Sequence, residues 1–229
     1  MLSGKEIRQA IEDGVIIFRK NVDGELVDCE GVDLNSVGPN SLDVRLSDEL
    51  KVHVDNVGNV LSFRDCGKVV LGQVSPGIAN DNLRSGFKED GCLFDPGKKV
   101  KPAEAAVKIP PSGLLLIPGV CYLGLTVEVV GSNDLVPVMH GRSSLGRTFF
   151  EPHCVAGFGD LGFVNQWTLE IMARLPIVVY PGMRVAQLAF YRVGDLRGND
   201  SYADRPTSKY AKTVGATSSL LHRDGEFSE

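Results

Sequence analysis

Apolar and polar positions change their period once, close to the start of the chain. Up to Ile11 the spacing is helical, with Ile7 and Ile11 on one face. Ser3-Gly4-Lys5-Glu6 spells a capping box, in which the Ser3 hydroxyl and the Glu6 carboxylate satisfy the free amides of a first turn. Leu2 and Ile7 are spaced to close a hydrophobic staple, and Gly14 is a stop signal. The spacing predicts one short helix.

From there on the period is two. Leu42, Val44 and Leu46 alternate with Asp43 and Arg45, and short apolar runs recur around 69–71, 114–117, 122–127 and 135–139. Others follow at 168–173, 177–180 and 185–191, many of them separated by Gly, Pro, Asn or Asp. This spacing predicts an all-β protein, a barrel or sandwich. Two stretches break the pattern. Residues 75–102 are rich in Gly, Asp, Asn and Lys and read as an insertion or long loop, and the polar segment 196–229 reads as a terminal arm. The 229 residues fit one domain with an ample core, and no internal repeat is visible.

Composition narrows the partners. A net charge of −5 argues against broad nucleic-acid binding, yet leaves room for a local basic pocket that takes a single nucleotide. Five cysteines, widely spaced and without a C-x-x-C pair, suit reduced thiols better than a disulfide framework or a zinc site. No run is long enough to span a membrane, and the first residues lack the pattern of a secretory signal. The expectation is a cytoplasmic protein.

Three segments carry candidate chemistry. Arg142-Ser143-Ser144-Leu145-Gly146-Arg147 places two guanidinium forks around two hydroxyls, which suits phosphate oxygens; taken alone it fits a polar surface turn as well. In Trp167 to Ala173 alternation puts Trp167, Leu169, Ile171 and Ala173 on one face, and Thr168 and Glu170 on the other. Periodicity leaves Glu170 open between an exposed strand residue and a half-buried acid/base. Gly157-Phe158-Gly159-Asp160-Leu161-Gly162 spells G-x-G-x-x-G, but a strand follows it where a dinucleotide fold needs a helix, so a Gly-rich turn is the reading. His-x-Glu and Pro-Cys-x-x-Cys are both missing, which excludes a zinc deaminase of that type.

In order along the chain, these segments resemble the dCTP deaminases of the dUTPase-like superfamily. Arg142 to Arg147, Asp160-Leu161-Gly162-Phe163 and Thr168-Leu169-Glu170 match the family's signatures. Leu2 to Ile7, Pro39 to Leu46, Pro181 to Leu188 and Lys209-Tyr210 before Gly215-Ala216 resemble its opening and closing segments. The resemblance implies a distorted antiparallel β-barrel or jelly roll, assembled as a homotrimer with each site built from neighbouring subunits. It implies hydrolytic deamination of dCTP to dUTP, with dTTP as a feedback inhibitor and magnesium carried by the substrate phosphates rather than by a protein cage. A bifunctional enzyme that continues to dUMP and pyrophosphate is the alternative, suggested by Ala156-Gly157-Phe158; a dUTPase alone and a silent nucleotide-binding regulator are the others.

Residue roles follow from the same resemblance. Glu170 would be the acid/base, since a buried carboxylate with a raised pKa can deprotonate water and return the proton to ammonia. Ser143 and the carbonyl of Ala156 would lie beside C4 of the base. Arg142, Ser144, Leu145, Gly146 and Arg147 would complete the triphosphate clamp. Asp160 would accept from the 3′-hydroxyl and Phe163 would pack on the deoxyribose. Thr168, Leu169, Gln187, Tyr202, Lys209 and Thr213 would finish the nucleotide site; Gln187 also reads as an edge residue and Lys209 as a solvated lysine. Three positions depart from the pattern: Thr213 stands where many members have Gln, Gly159 where Ile is usual and Asn165 where Gly is usual.

Overall fold

The structure is a computed structural model that describes residues 1–22, 25–28, 34–54, 103–194 and 201–223. The expected strand near 69–71 and the expected insertion at 75–102 lie outside these residues.

The helix forms where the spacing places it. Helix α1 (Gly4–Glu12) begins at Ser3, and both halves of the capping box are present. Ser3 N–H donates to Glu6 Oε2 at 2.7 Å, and Glu6 N–H donates to Ser3 Oγ at 3.4 Å. Leu2 and Ile7 are both buried, and Leu2 N–H donates to the Phe190 carbonyl, which fastens the helix to the sheet. Gly14 ends it at φ +72°, a conformation that favours glycine.

The rest of the described chain is almost all strand, as the period of two predicts. The strands are β1 (Ile17–Val22), β2 (Glu25–Asp28), β3 (Leu42–Val54), β4 (Ala103–Lys108), β5 (Leu114–Leu116) and β6 (Cys121–Gly131). After them come β7 (Leu135–Gly141), the four-residue helix α2 (Ser143–Gly146), β8 (Phe150–Glu151), β9 (Val164–Ala173), β10 (Ile177–Val179) and β11 (Arg184–Arg192). Nine of these strands form one sheet along the path β2-β1-β6-β3-β11-β7, with β4 on β3, β9 on β6 and β8 on β9; β5 and β10 form a separate pair. Every pairing is antiparallel. Strands β1, β2, β4 and β8 carry weaker alternation and were not anticipated. Among the described residues, no helix is long and apolar enough to cross a membrane.

Two long strands organise the core. In β3, Leu42, Val44, Leu46, Leu50, Val52 and Val54 are buried while Asp43, Arg45, Lys51 and His53 lie on the other, half-buried face. Strand β6 pairs with β1, β3 and β9 at once, and it can do so because its ladder is broken at one level. Its register with β9 runs Leu125 to Thr168 and then Val129 to Gln166, four residues against two. The same offset appears in β3, where Leu46 faces Thr126 and Leu50 faces Gly124. Such bulges bend a strand and sharpen its twist.

Side chains take over the hydrogen bonds that the bulge removes from the ladder. Thr126 Oγ1 accepts from Trp167 N–H at 2.8 Å and donates to the Glu128 carbonyl at 2.7 Å. The Glu128 side chain is fully buried and accepts from Arg45 twice, from Nε at 2.6 Å and from the main-chain N–H at 2.8 Å. A buried carboxylate is tolerated only when it is paired in this way.

Glu128→Ala should therefore lower stability by about 3 kcal/mol, the low end for breaking a buried pair because Arg45 retains some access to water. Glu128→Gln should cost less, since its amide oxygen still accepts one of the two bonds. Urea unfolding of the two variants beside the parent chain measures both effects.

Candidate nucleotide site

Strand β9 presents two distinct faces. Trp167, Leu169, Ile171 and Ala173 are buried, while Thr168 and Glu170 are half-buried on the opposite side. Across the sheet Glu170 stands level with Leu123, and Leu123 with Lys51. The segment ahead of β9 is held along β7: Met139 N–H donates to the Gly157 carbonyl at 2.6 Å and Gly159 N–H to the Pro137 carbonyl at 2.9 Å. It ends in a turn, with Phe163 N–H donating to the Asp160 carbonyl at 3.0 Å and Gly162 at φ +81°. Positive φ at the third turn position is what makes glycine the fitting residue there. A Cβ at Gly162 would also collide with the Ser201 side chain.

Over residues 201–223 the polar tail folds back onto this face. Tyr202 N–H donates to the Leu161 carbonyl at 2.7 Å, and Thr217 N–H donates to Thr168 Oγ1 at 3.2 Å. Ala216, Ser218 and Leu220 of the arm are buried. Composition alone could not show this, because the arm is held through its own main-chain groups.

Between arm and sheet lies a cleft of about 410 Å³. That is within the range of small-molecule sites. It gathers seven of the residues singled out from the sequence: Ala156, Asp160, Phe163, Thr168, Glu170, Tyr202 and Thr213. Phe163 packs edge-on against Trp167, with ring centres 5.3 Å apart, and against Tyr202 at 5.9 Å. The Trp167 indole N–H is satisfied by the Val130 carbonyl at 3.0 Å. Glu170 Oε2 accepts from Val155 N–H at 3.2 Å, and its own carbonyl accepts from Cys154 Sγ at 3.3 Å. Burial, followed by the charge of Glu170, pushes the Cys154 thiol up to about 11.

The other selected residues lie elsewhere in the same chain. Arg142 and α2 (Ser143, Ser144, Leu145, Gly146) with Arg147 do not line the cleft. Ser143, Ser144 and Arg147 are exposed, whereas Leu145 is buried and anchors α2 to the core. Arg142 pairs with Asp43 at 3.2 Å and donates to the Arg184 carbonyl at 3.3 Å. Burial raises the Asp43 carboxyl even so, against the pull of Arg142 and Arg184. Gln187 accepts from Ser41 Oγ at 3.3 Å and donates to the Gly141 carbonyl. The Leu169 side chain is wholly in the core, and Lys209 is half-buried on the arm outside the cleft. Among the described residues no group of three or more His, Cys, Asp or Glu side chains comes together as a metal site.

The cleft also holds residues that the sequence did not single out, among them His53, Phe158, Gln166, Tyr210, Thr217 and Ser219. His53 lies on β3 beyond the alternation read at Leu42 to Leu46, so neither its strand nor its neighbours were legible. Burial lowers the His53 pKa, opposed by Glu104.

The family model described as dCTP deaminase-like matches residues 93–193. Over 226 residues, 99% of each chain, this protein is 31% identical to the "dCTP deaminase, dUMP-forming" of Hathewaya histolytica. Over 227 residues it is 33% identical to the protein of the same name in Clostridium beijerinckii, again across 99% of both. The chain belongs to the dCTP deaminase family. The fold agrees: the solved 2'-deoxycytidine 5'-triphosphate deaminase of Agrobacterium tumefaciens superposes with a TM-score of 0.50 at 22% identity, over 84% of this chain and 48% of that one.

Gly159 stands where a side chain has no room. A Cβ there would sit 2.5 Å from Trp167 Cη2 and 2.9 Å from Pro137 Cγ, so the indole fills the space a larger residue would need. Gly159→Ala should push Trp167 toward the cleft and destabilise this deaminase-family chain by about 1–3 kcal/mol. A lower urea midpoint and altered emission from the single tryptophan are the expected readouts.

Proposed function

We propose that this chain converts dCTP to dUMP, ammonia and pyrophosphate in two hydrolytic steps. The observation that carries the proposal is one cleft holding Glu170 with Ala156, beside Asp160, Phe163 and Tyr202, in a chain aligned end to end with relatives named dUMP-forming. The sequence favoured a deaminase that releases dUTP; the relatives' names favour its bifunctional alternative.

In the first step the Glu170 carboxylate takes a proton from water, and the resulting hydroxide adds to C4 of the cytosine. Glu170 then hands the proton to the amine, ammonia leaves, and the added hydroxyl yields its proton to N3 as the C4 carbonyl of dUTP forms. The Val155 amide on Oε2 orients the carboxylate. The Ala156 carbonyl accepts from the water or the amine beside C4, while Asp160 accepts from the 3′-hydroxyl and the Phe163 ring packs on the sugar. In the second step water attacks the α-phosphorus and pyrophosphate departs. Magnesium enters as part of the substrate, held through phosphate oxygens and water. The hydroxyls of Ser143 and Ser144 and the guanidinium groups of Arg142 and Arg147 suit those same oxygens.

The clamp and the cleft are separate within one chain, so the proposal includes a homotrimer in which α2 of one subunit faces the cleft of the next. In support, Ser143, Ser144 and Gly146 of α2 are exposed beside exposed Phe149, and exposed Val155 and Phe158 stand at the cleft side.

Incubation with dCTP and magnesium, resolved by chromatography, should yield dUMP and pyrophosphate with no accumulation of dUTP. Accumulating dUTP would restrict the activity to deamination, and inertness toward dCTP would overturn the reading. Glu170→Gln should reduce ammonia release at least about 100-fold while nucleotide binding persists. Mixing subunits of Glu170→Gln with those of Arg147→Ala should restore activity that neither has alone, because some sites then combine an intact cleft with an intact clamp. No recovery after verified subunit exchange would exclude the shared site.

A further inference from the structure

The arm crosses the cleft between Tyr210 and Thr217 and contributes both of those residues, with Thr213, to its lining. Two barrel side chains that do not line the cleft hold this stretch from opposite sides. On β9, Asn165 Nδ2 donates to the Thr213 carbonyl at 2.8 Å and, more weakly, to the Tyr210 carbonyl at 3.5 Å. Asn165 Oδ1 is occupied by Gln166 N–H at 2.8 Å, which turns the amide so that its donors face the arm. On β3, Lys51 Nζ donates to the Ala216 carbonyl at 2.5 Å and also lies 3.5 Å from Glu104. Thr213 Oγ1 closes back on the Tyr210 carbonyl at 2.9 Å, so its side chain is spent within the arm.

We infer that Asn165, with Lys51 across the cleft, is a positioning residue that fixes the arm and thereby sets nucleotide affinity. Both side chains grip main-chain carbonyls, so the grip does not depend on which side chain stands at 213. The Thr213 hydroxyl is turned back onto the arm, and Asn165 holds the main chain of that same residue against the sheet. Glu170 is held separately, by β9 and the Val155 amide, so loosening the arm leaves the reacting carboxylate in place.

The kinetic part of the test rests on the deaminase reading; the proteolytic part does not. Asn165→Asp keeps the volume and removes both donors, Asn165→Ala removes the side chain, and Lys51→Met removes the opposite anchor. Each full-length variant is digested briefly with trypsin, and cleavage after Lys209 and Lys212 is timed by mass spectrometry. The expected result is cleavage several-fold faster than in the parent chain, with an unchanged melting midpoint for the remainder. With dCTP, KM should rise about 3- to 10-fold, the size of one or two lost hydrogen bonds, while kcat stays within about twofold. Parental cleavage rates and parental KM in Asn165→Asp would overturn the inference. A fall in kcat with KM unchanged would overturn it too, since the residue would then act on the chemistry. If the unmodified chain turned over no dCTP, the deaminase reading would fail and the tryptic rates alone would decide the role of Asn165.

Discussion

The fold turns on a buried carboxylate. Glu128 is fully buried inside the sheet, accepting from the Nε and the main-chain N–H of Arg45. Its neighbour Thr126 supplies the hydrogen bonds that the bulge in β6 takes from the ladder. Without that bulge β6 would be a straight strand with two partners. With it, one end of β6 pairs with β1 and the other with β3, while β9 runs along both parts. A low-dielectric interior makes such a network costly if any member is unsatisfied, and therefore specific when all are satisfied.

The cleft inherits its geometry from that register. Across this register the alternation of β9 turns Trp167 inward and Thr168 and Glu170 outward. The indole then takes the space beside Gly159 and leaves Phe163 and Tyr202 as an aromatic wall. The same face receives the arm, since Thr168 accepts from Thr217 N–H and Asn165 reaches the Thr213 carbonyl. Glu170, the aromatic wall and the arm that covers the cleft are therefore placed by one strand. The Arg142 to Arg147 segment belongs to a different part of the sheet, at the end of β7, and so stands apart from the cleft within one chain.

Much of this was legible in the sequence. The capping box at Ser3 and Glu6, the alternation of Leu42, Val44 and Leu46, and the two faces of Trp167 to Ala173 are local properties. A helix start needs only its own first turn, and a strand's two faces follow from a repeat of two residues. The order of the motifs was enough to point to the dCTP deaminase family, and full-length relatives agree. Weakly patterned strands such as β4 and β8 were not legible, because they exist through the partner they pair with rather than through their own composition.

What the sequence determined by itself was therefore local conformation, the all-β class and the family. Tertiary structure alone decided which residues meet. It brought His53 from β3 and Tyr210 and Thr217 from the arm to the cleft of Glu170, kept Arg142 on Asp43, turned Leu145 and Leu169 into the core, and made Asn165 an anchor. The physical reason is that these contacts join positions tens of residues apart. Their formation depends on bulge, register and burial across several strands at once, and no short stretch of chain encodes those by itself.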